Sequence, residues 1–236
     1  MAKQVTKYQS DGVTPAAASY DEGSVLDGAQ TTPRRIWWKN TSTASEILQN
    51  CRFRRVQSGA NDGLNFLQTA QDVPLSPPGA PTLALAAGTE LGIGLYQYAV
   101  TFVTANGETT PGTQAEITTT PGNQRVQLSN IHIGPSGTTA RRIYRSAVGG
   151  GQKKLVTTIA DNITTSYLDQ IPDASLGANA PTLNSSGSPG TWGTANITIG
   201  NMAAGDYAPC WMRYNVPGGT TQVGNPRRSY VQFEEA

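Results

Sequence analysis

The stretch LYQYAVTFVTANGETT, residues 95–110, decides the fold class. Its large apolar residues recur at every second position, which is the period of a β-strand with one buried face. These residues are Tyr96, Tyr98, Val100 and Phe102. The dipeptide Asn106-Gly107 follows, and this pair is typical of a tight turn between two antiparallel strands. The stretch therefore predicts a strand and a hairpin turn.

The next sixty residues continue this pattern. Strand-like segments alternate with turn signals such as the glycines at 149–151. The segments are QRVQLSN (124–130), TARRIYRS (139–146), KKLVTTIA (153–160) and ITTSYLD (163–169). Short strands at this spacing, within about 100 residues, predict a β-sandwich of immunoglobulin type.

Proline-rich sequence bounds this region on both sides. DVPLSPPGAP (72–81) precedes it, and NSSGSPG (184–190) follows it. The tetrapeptide Ala-Pro-Thr-Leu occurs at both boundaries, at 80–83 and at 180–183. We therefore predict that residues 79–183 form an inserted immunoglobulin-like domain.

The two flanks each carry about three predicted strands. Residues 34–78 and residues 184–236 are both close to the lower size limit for independent folding. We therefore predict that they combine into one discontinuous, jelly-roll-like β-sandwich, and that the whole chain is all-β. Three independent domains in a row are the alternative.

Residues 1–33 are polar and poor in large aliphatic side chains, which predicts an extended N-terminal arm, either a tail or a segment that orders against a neighbouring subunit.

Composition excludes several classes of protein. The net charge is +1, so no overall positive field attracts nucleic acid. No apolar run is long enough to span a membrane, and MAKQVTKYQS does not read as a secretory signal. Synthesis in a cytoplasm is expected. Cys51 and Cys210 are expected to be buried thiols, with neither a disulfide nor a metal cluster.

Catalytic chemistry has little support. His132 is the single histidine, and neither a nucleophile elbow nor a phosphate-binding loop is present. Asp161, Asp169 and Asp173 cluster in the insert, where aspartate commonly caps turns; a Ca²⁺ site is the alternative, although the Asp-x-Asp-x-Asp pattern is missing. We therefore expect a protein that is not an enzyme and has no cofactor.

Arginine and tryptophan are concentrated in the flanks. These residue types dominate the hot spots of protein interfaces. The candidate interface residues are Arg34, Arg35, Trp37, Trp38, Arg52, Arg54, Trp211, Arg213, Arg227 and Arg228. The alternative is that the tryptophans fill a core and the arginines form a solvated face. A further arginine group lies on one insert strand, at 141, 142 and 145.

Two segments of the insert carry a resemblance to a known group of proteins: GLYQYAVTFVTANGETTPG (94–112) and TTARRIYRSAVGGGQKKLVTTIADNITTSYLD (138–169). With these segments the insert resembles immunoglobulin-like or fibronectin type III-like modules of tailed-bacteriophage virion proteins. In the flanks, ITIGNMAAGDYAP (197–209) is similar to phage particle components. The insert has neither cysteine nor tryptophan, which departs from antibody-type domains. The resemblance implies an accessory structural role on a capsid, neck or tail.

We therefore predict a non-enzymatic virion protein, such as a capsid decoration protein, made in the host cytoplasm. Its flanking domain docks to other virion subunits and to copies of itself, and the inserted domain projects. Membrane and nucleic acid are not expected as partners. The alternative is a tail-associated adhesin that binds a host glycan or receptor. An enzyme ranks third.

Overall fold

The computed structural model describes residues 5–8, 30–42, 47–58, 67–215 and 228–234. In these ranges the chain forms strands, loops and one turn of 3-10 helix at Asp173–Ser175, with no α-helix. The strands are β1 (Val5–Tyr8), β2 (Arg34–Asn40), β3 (Leu48–Ser58), β4 (Leu67–Val73), β5 (Thr82–Ala86), β6 (Gly94–Thr104), β7 (Gly107–Glu108), β8 (Ala115–Thr119), β9 (Arg125–Ser129), β10 (Thr138–Arg145), β11 (Lys154–Ile159), β12 (Tyr167–Asp169), β13 (Ser188–Pro189), β14 (Ile197–Met202), β15 (Tyr207–Tyr214) and β16 (Arg228–Glu234). The predicted all-β class is confirmed.

The chain divides into two compact units. Unit 1 consists of Met1–Val73 and Pro189–Ala236, and unit 2 consists of Pro74–Ser188. Unit 2 begins five residues before the predicted insert and ends five residues after it. The reason is that the proline-rich segments are hydrogen-bonded within unit 2. The Leu75 amide donates to Ser186 Oγ at 3.0 Å, and the Asn184 side chain donates to the Leu75 carbonyl at 2.8 Å.

Strands from both ends of the sequence build unit 1. One sheet has the order β1-β2-β15-β4-β13, and the other has the order β14-β3-β16. Strand β15 therefore pairs with two strands of the first flank, and β3 pairs with two strands of the second. Both sheets contribute to one core, so unit 1 is a two-layered sandwich. Its buried residues are Ile36, Leu48, Cys51, Phe53, Leu67, Met202, Ala208, Cys210, Met212 and Tyr214.

Both cysteines lie in this core as free thiols. Cys51 and Cys210 are each 0% exposed, which confirms the prediction of buried thiols without a disulfide. Burial raises the pKa of the Cys210 thiol, because the thiolate would lose its hydration. Both side chains therefore serve as small apolar groups.

Parts of the predicted N-terminal arm belong to unit 1. Residues 5–8 form β1, which pairs with β2. The Thr31 amide donates to the Tyr214 carbonyl at 3.0 Å, and the Tyr214 amide donates to Thr31 Oγ1 at 2.9 Å. The rest of the arm lies outside the described residues.

Unit 2 is the second sandwich. One sheet has the order β11-β10-β6-β7, with β8 also pairing with β6, and the other has the order β12-β9-β5. The face predicted at period two is buried, because Tyr96, Tyr98 and Val100 form the centre of the core and Phe102 is also buried. The predicted turn joins β6 to β7. Glycine is required at position 107, because a Cβ there would lie only 2.5 Å from the Ser185 carbonyl oxygen.

The chain is thus a discontinuous β-sandwich with a second β-sandwich inserted. The jelly-roll-like and immunoglobulin-like assignments of the two sandwiches stay predictions. The described part of the chain contains no helix that is long and apolar enough to cross a bilayer.

Candidate protein-binding face

Strand alternation divides the ten candidate interface residues. Trp38 points into the core of unit 1, where its ring stacks on Phe233 with centroids 5.8 Å apart. Four others lie on the opposite face of the five-stranded sheet: Arg35, Trp37, Trp211 and Arg213. Of the ten candidates, the structure brings these four together on one face.

The remaining candidates lie elsewhere. Arg34 is exposed at the start of β2, and Arg52 and Arg54 are exposed on β3 between core residues. Arg228 begins β16. Arg227 lies outside the described residues.

The centre of the shared face is a buried ion pair. Arg35 and Asp72 are only 4% and 8% exposed, and the guanidinium lies 2.6 Å from the carboxylate. Trp211 Nε1 donates to the other Asp72 oxygen at 2.6 Å. The pairing register places Arg35 opposite Trp211, so that both side chains reach the same carboxylate. Burial lowers the pKa of Arg35, and the Asp72 charge opposes this shift.

Aromatic rings enclose this ion pair. The Arg35 guanidinium carbon lies 4.3 Å from the ring centroid of Trp37 and 5.6 Å from that of Trp211. Trp37 in turn meets Tyr207 edge to face at 6.0 Å, and the Lys39 ammonium lies 4.9 Å from the Tyr207 ring. Cations over aromatic faces are attracted by the ring quadrupole. The centre is therefore held rigidly by its own contacts.

The other end of the face is more open. Arg213 stacks over the half-buried Trp192, with its guanidinium carbon 4.3 Å from the ring centroid. Arg213 also donates to the side chains of Gln68 and Gln30, each at 3.0 Å. Together these side chains form the tryptophan–arginine face: Arg35, Trp37, Lys39, Asp72, Trp192, Tyr207, Trp211 and Arg213.

Sequence reasoning missed the acidic member of this face. Asp72 was assigned to the proline-rich boundary, although it is the sixth residue of β4. The sequence does contain a signal for Asp72. In β4, Gln68, Ala70 and Asp72 occupy alternate positions and share one side of the strand, whereas Leu67 lies on the core side. The alternative interpretation of the sequence, in which the tryptophans are internal, describes three of them: Trp37 and Trp211 are 1% and 7% exposed, and Trp38 packs against the core of unit 1.

The arginines of unit 2 hold the sandwich together. Arg141 and Arg145 are both 0% exposed and share the side of β10 that bears Ile143. Arg145 Nε lies 2.8 Å from Asp169, and Arg145 Nη1 lies 2.5 Å from Asp173. Arg141 pairs with Asp161 at 2.9 Å. Two of the three arginines are therefore internal structural groups.

The three aspartates of unit 2 thus bind arginines in this structure. Within the described ranges no group of histidine, cysteine, aspartate and glutamate side chains is arranged to hold a metal ion. His132 is exposed in the loop after β9, and its carbonyl accepts a hydrogen bond from Arg141 at 3.2 Å.

No known protein family, no curated protein and no solved structure was found to match this chain. The resemblance to phage modules therefore rests on the quoted residues alone.

Proposed function

We propose that the chain is a non-enzymatic structural component of a phage particle, which docks through unit 1 and carries unit 2 as an inserted immunoglobulin-like domain. The observation that carries this proposal is the tryptophan–arginine face. All four tryptophans of the chain belong to unit 1 and none to unit 2. The accessible end of this face, Trp192 with Arg213, has the aromatic and arginine composition of an interface centre, and the buried part supports it from within.

The rigidity of this face favours protein binding. Asp72 fixes Arg35 and Trp211 by short polar contacts, and the flanking rings restrict them further. Side chains that are ordered before binding lose little conformational entropy on binding. A partner would meet Trp192 and Arg213 first, because this end is more accessible than the buried centre.

The accessible end of the face indicates the chemistry of the partner. The Arg213 guanidinium rests on the Trp192 ring, and its side-chain hydrogen bonds go to two glutamine side chains, which carry no charge. Arg35 at the centre is already neutralised by Asp72. We therefore propose that the docking partner presents carboxylates and apolar side chains, a combination that a particle subunit can supply.

The test removes the accessible end of the face. Trp192→Ala with Arg213→Ala should weaken incorporation into particles by about 30-fold or more, corresponding to about 2 kcal/mol. Arg54→Ala is the matched control, because Arg54 is exposed on the other sheet of unit 1. Copy number per purified particle is the measurement. Arg35 and Trp38 are poor test positions, since their burial makes loss of folding the first effect of substitution.

A second variant tests which unit docks. In unit 1 the Gly190 amide donates to the Gln71 carbonyl at 2.9 Å, so the two ends left by removing unit 2 lie side by side. Replacing residues 74–188 with an Asn-Gly turn should leave incorporation intact. If this deletion abolishes incorporation while the Trp192/Arg213 variant incorporates normally, the docking proposal is wrong. If the purified protein binds host cells through unit 2 and does not bind particles, the adhesin alternative replaces it.

A further inference from the structure

The first strand of the chain occupies the edge of the five-stranded sheet. Strand β1 pairs antiparallel with β2, in a register that runs from Val5 opposite Asn40 to Tyr8 opposite Trp37. The pairing covers only four residues. Residues 9–29 separate β1 from Gln30, where the described chain resumes beside β15. The edge strand is thus joined to the rest of its sheet through 21 intervening residues.

Strand β2 needs a neighbour on this side. Its other edge pairs with β15, so loss of β1 would leave the backbone groups of residues 37–40 at an open sheet edge. An open edge is a template for pairing with another chain. Strand β2 also carries Arg35 and Trp37 of the tryptophan–arginine face, so the pairing of β1 with β2 helps to hold the strand that bears these two residues.

We propose that β1 is an exchangeable strand, which pairs with β2 of a second copy of this chain when copies are held close together. The pairing contacts are the same within a chain and between chains, so the two arrangements differ mainly in the cost of the connection. A connection of 21 residues spans at most about 70 Å, which reaches a neighbouring copy in an assembly. This inference needs only β1 and β2 and is independent of the docking proposal.

Concentration decides which arrangement prevails. Tethered segments typically reach effective concentrations on the order of 1 mM, and this value is taken for β1 at its own β2. At about 10 µM protein, roughly 1% of β1 strands should therefore be exchanged, and at about 1 mM roughly half.

Paired cysteines test the exchange directly. Thr6 lies opposite Lys39, and facing residues on antiparallel strands are within the Cα separation that a disulfide bridges. A T6C chain is mixed with a K39C chain under mild oxidation. The two chains carry different affinity tags, and because neither chain can form this disulfide alone, a disulfide-linked dimer that contains both tags reports exchange. The native thiols of Cys51 and Cys210 are buried and do not interfere.

Two controls make each outcome decisive. T6C mixed with K154C measures random collision, since Lys154 is exposed on β11 of unit 2. The T6C/K39C double variant at about 10 µM should close its disulfide within one chain. We expect the T6C–K39C dimer to increase steeply between about 10 µM and 1 mM and to exceed the collision control. A dimer yield equal to that control at 1 mM overturns the proposal, and so does failure of the double variant to close.

Discussion

Removing the carboxylate of Asp169 should destabilise unit 2 without affecting unit 1. Asp169 is 0% exposed at the end of β12, where it pairs with Arg145 at 2.8 Å and accepts a hydrogen bond from the Tyr98 hydroxyl at 2.7 Å. Arg145 and Tyr98 belong to the opposite sheet, so this contact bridges the sandwich. Breaking a buried ion pair by removing one partner costs about 3–5 kcal/mol. Asp173 still contacts Arg145 after Asp169→Ala, so we expect the lower end, about 3 kcal/mol.

The distribution of tryptophan provides the assay. Tryptophan fluorescence reports on unit 1 alone, whereas far-ultraviolet circular dichroism reports on both units. With a urea dependence of about 1–3 kcal/mol per molar, a loss of about 3 kcal/mol lowers the unfolding midpoint of unit 2 by roughly 1–3 M. The fluorescence midpoint should stay in place. Glu116→Ala is the control, since this carboxylate of β8 is exposed and accepts hydrogen bonds from glutamine side chains, so its loss should cause a much smaller shift.

Two results would refute this reasoning. If the fluorescence midpoint moves together with the dichroism midpoint, the two units unfold as one and the insert is not autonomous. If neither midpoint moves, the buried pair contributes no net stability. A double variant, Arg145→Met with Asp169→Leu, separates charge from packing. It should recover part of the loss, because replacing both buried charges with apolar groups avoids leaving one unpaired.

The remaining predictions concern titration and thiol reactivity. A thiol-reactive dye should label neither Cys51 nor Cys210 in the folded protein and both after unfolding, since both are fully buried. The contact with Arg125 lowers the pKa of Glu90 from 4.5 to about 2, so the unfolded state binds the proton more readily. Unit 2 should therefore lose stability as the pH falls from about 4.5 to about 2, and Glu90→Gln should remove this part of the dependence, as urea titrations at several pH values will measure. Burial raises the pKa of Tyr144 from 10 to about 12, so unit 2 should lose stability as the pH rises from about 10 to about 12. In an ultraviolet titration, the protein and its Tyr144→Phe variant should ionise the same number of tyrosines near pH 10, and the protein should ionise one more near pH 12.

The sequence was most informative where structure depends on local alternation. Residues 95–104 form one strand whose predicted face is buried, because the period of two fixes which side chains share a side. Cys51 and Cys210 lie in the core because they share the sides of β3 and β15 that bear Phe53 and Met212. The hairpin turn at Asn106-Gly107 follows from backbone geometry within four residues. Each of these features is set by near neighbours in sequence.

Long-range polar contacts were not accessible in this way. Arg141, Ile143 and Arg145 occupy alternate positions of β10 and so share one side of the strand with an apolar residue. This pattern indicates that the two arginines are internal. The alternation of residues along a strand does not indicate that Arg145 contacts Asp169. This contact depends on how the two sheets of unit 2 pack on each other. The proline-rich boundaries show the same limit. Proline lacks a backbone donor but still accepts, and the Pro78 carbonyl accepts from Thr113 at 3.0 Å.

The two adjacent tryptophans show why the candidate residues could not form one surface. Neighbouring residues of a strand point to opposite sides, so only one of Trp37 and Trp38 can join any given face. Trp38 lies against the core, and Trp37 lies with Arg35 on the other side. A buried cation needs a partner within its own chain, and Asp72 supplies it. Arg35 therefore supports the face from within, and the binding of a partner falls to residues at its accessible end.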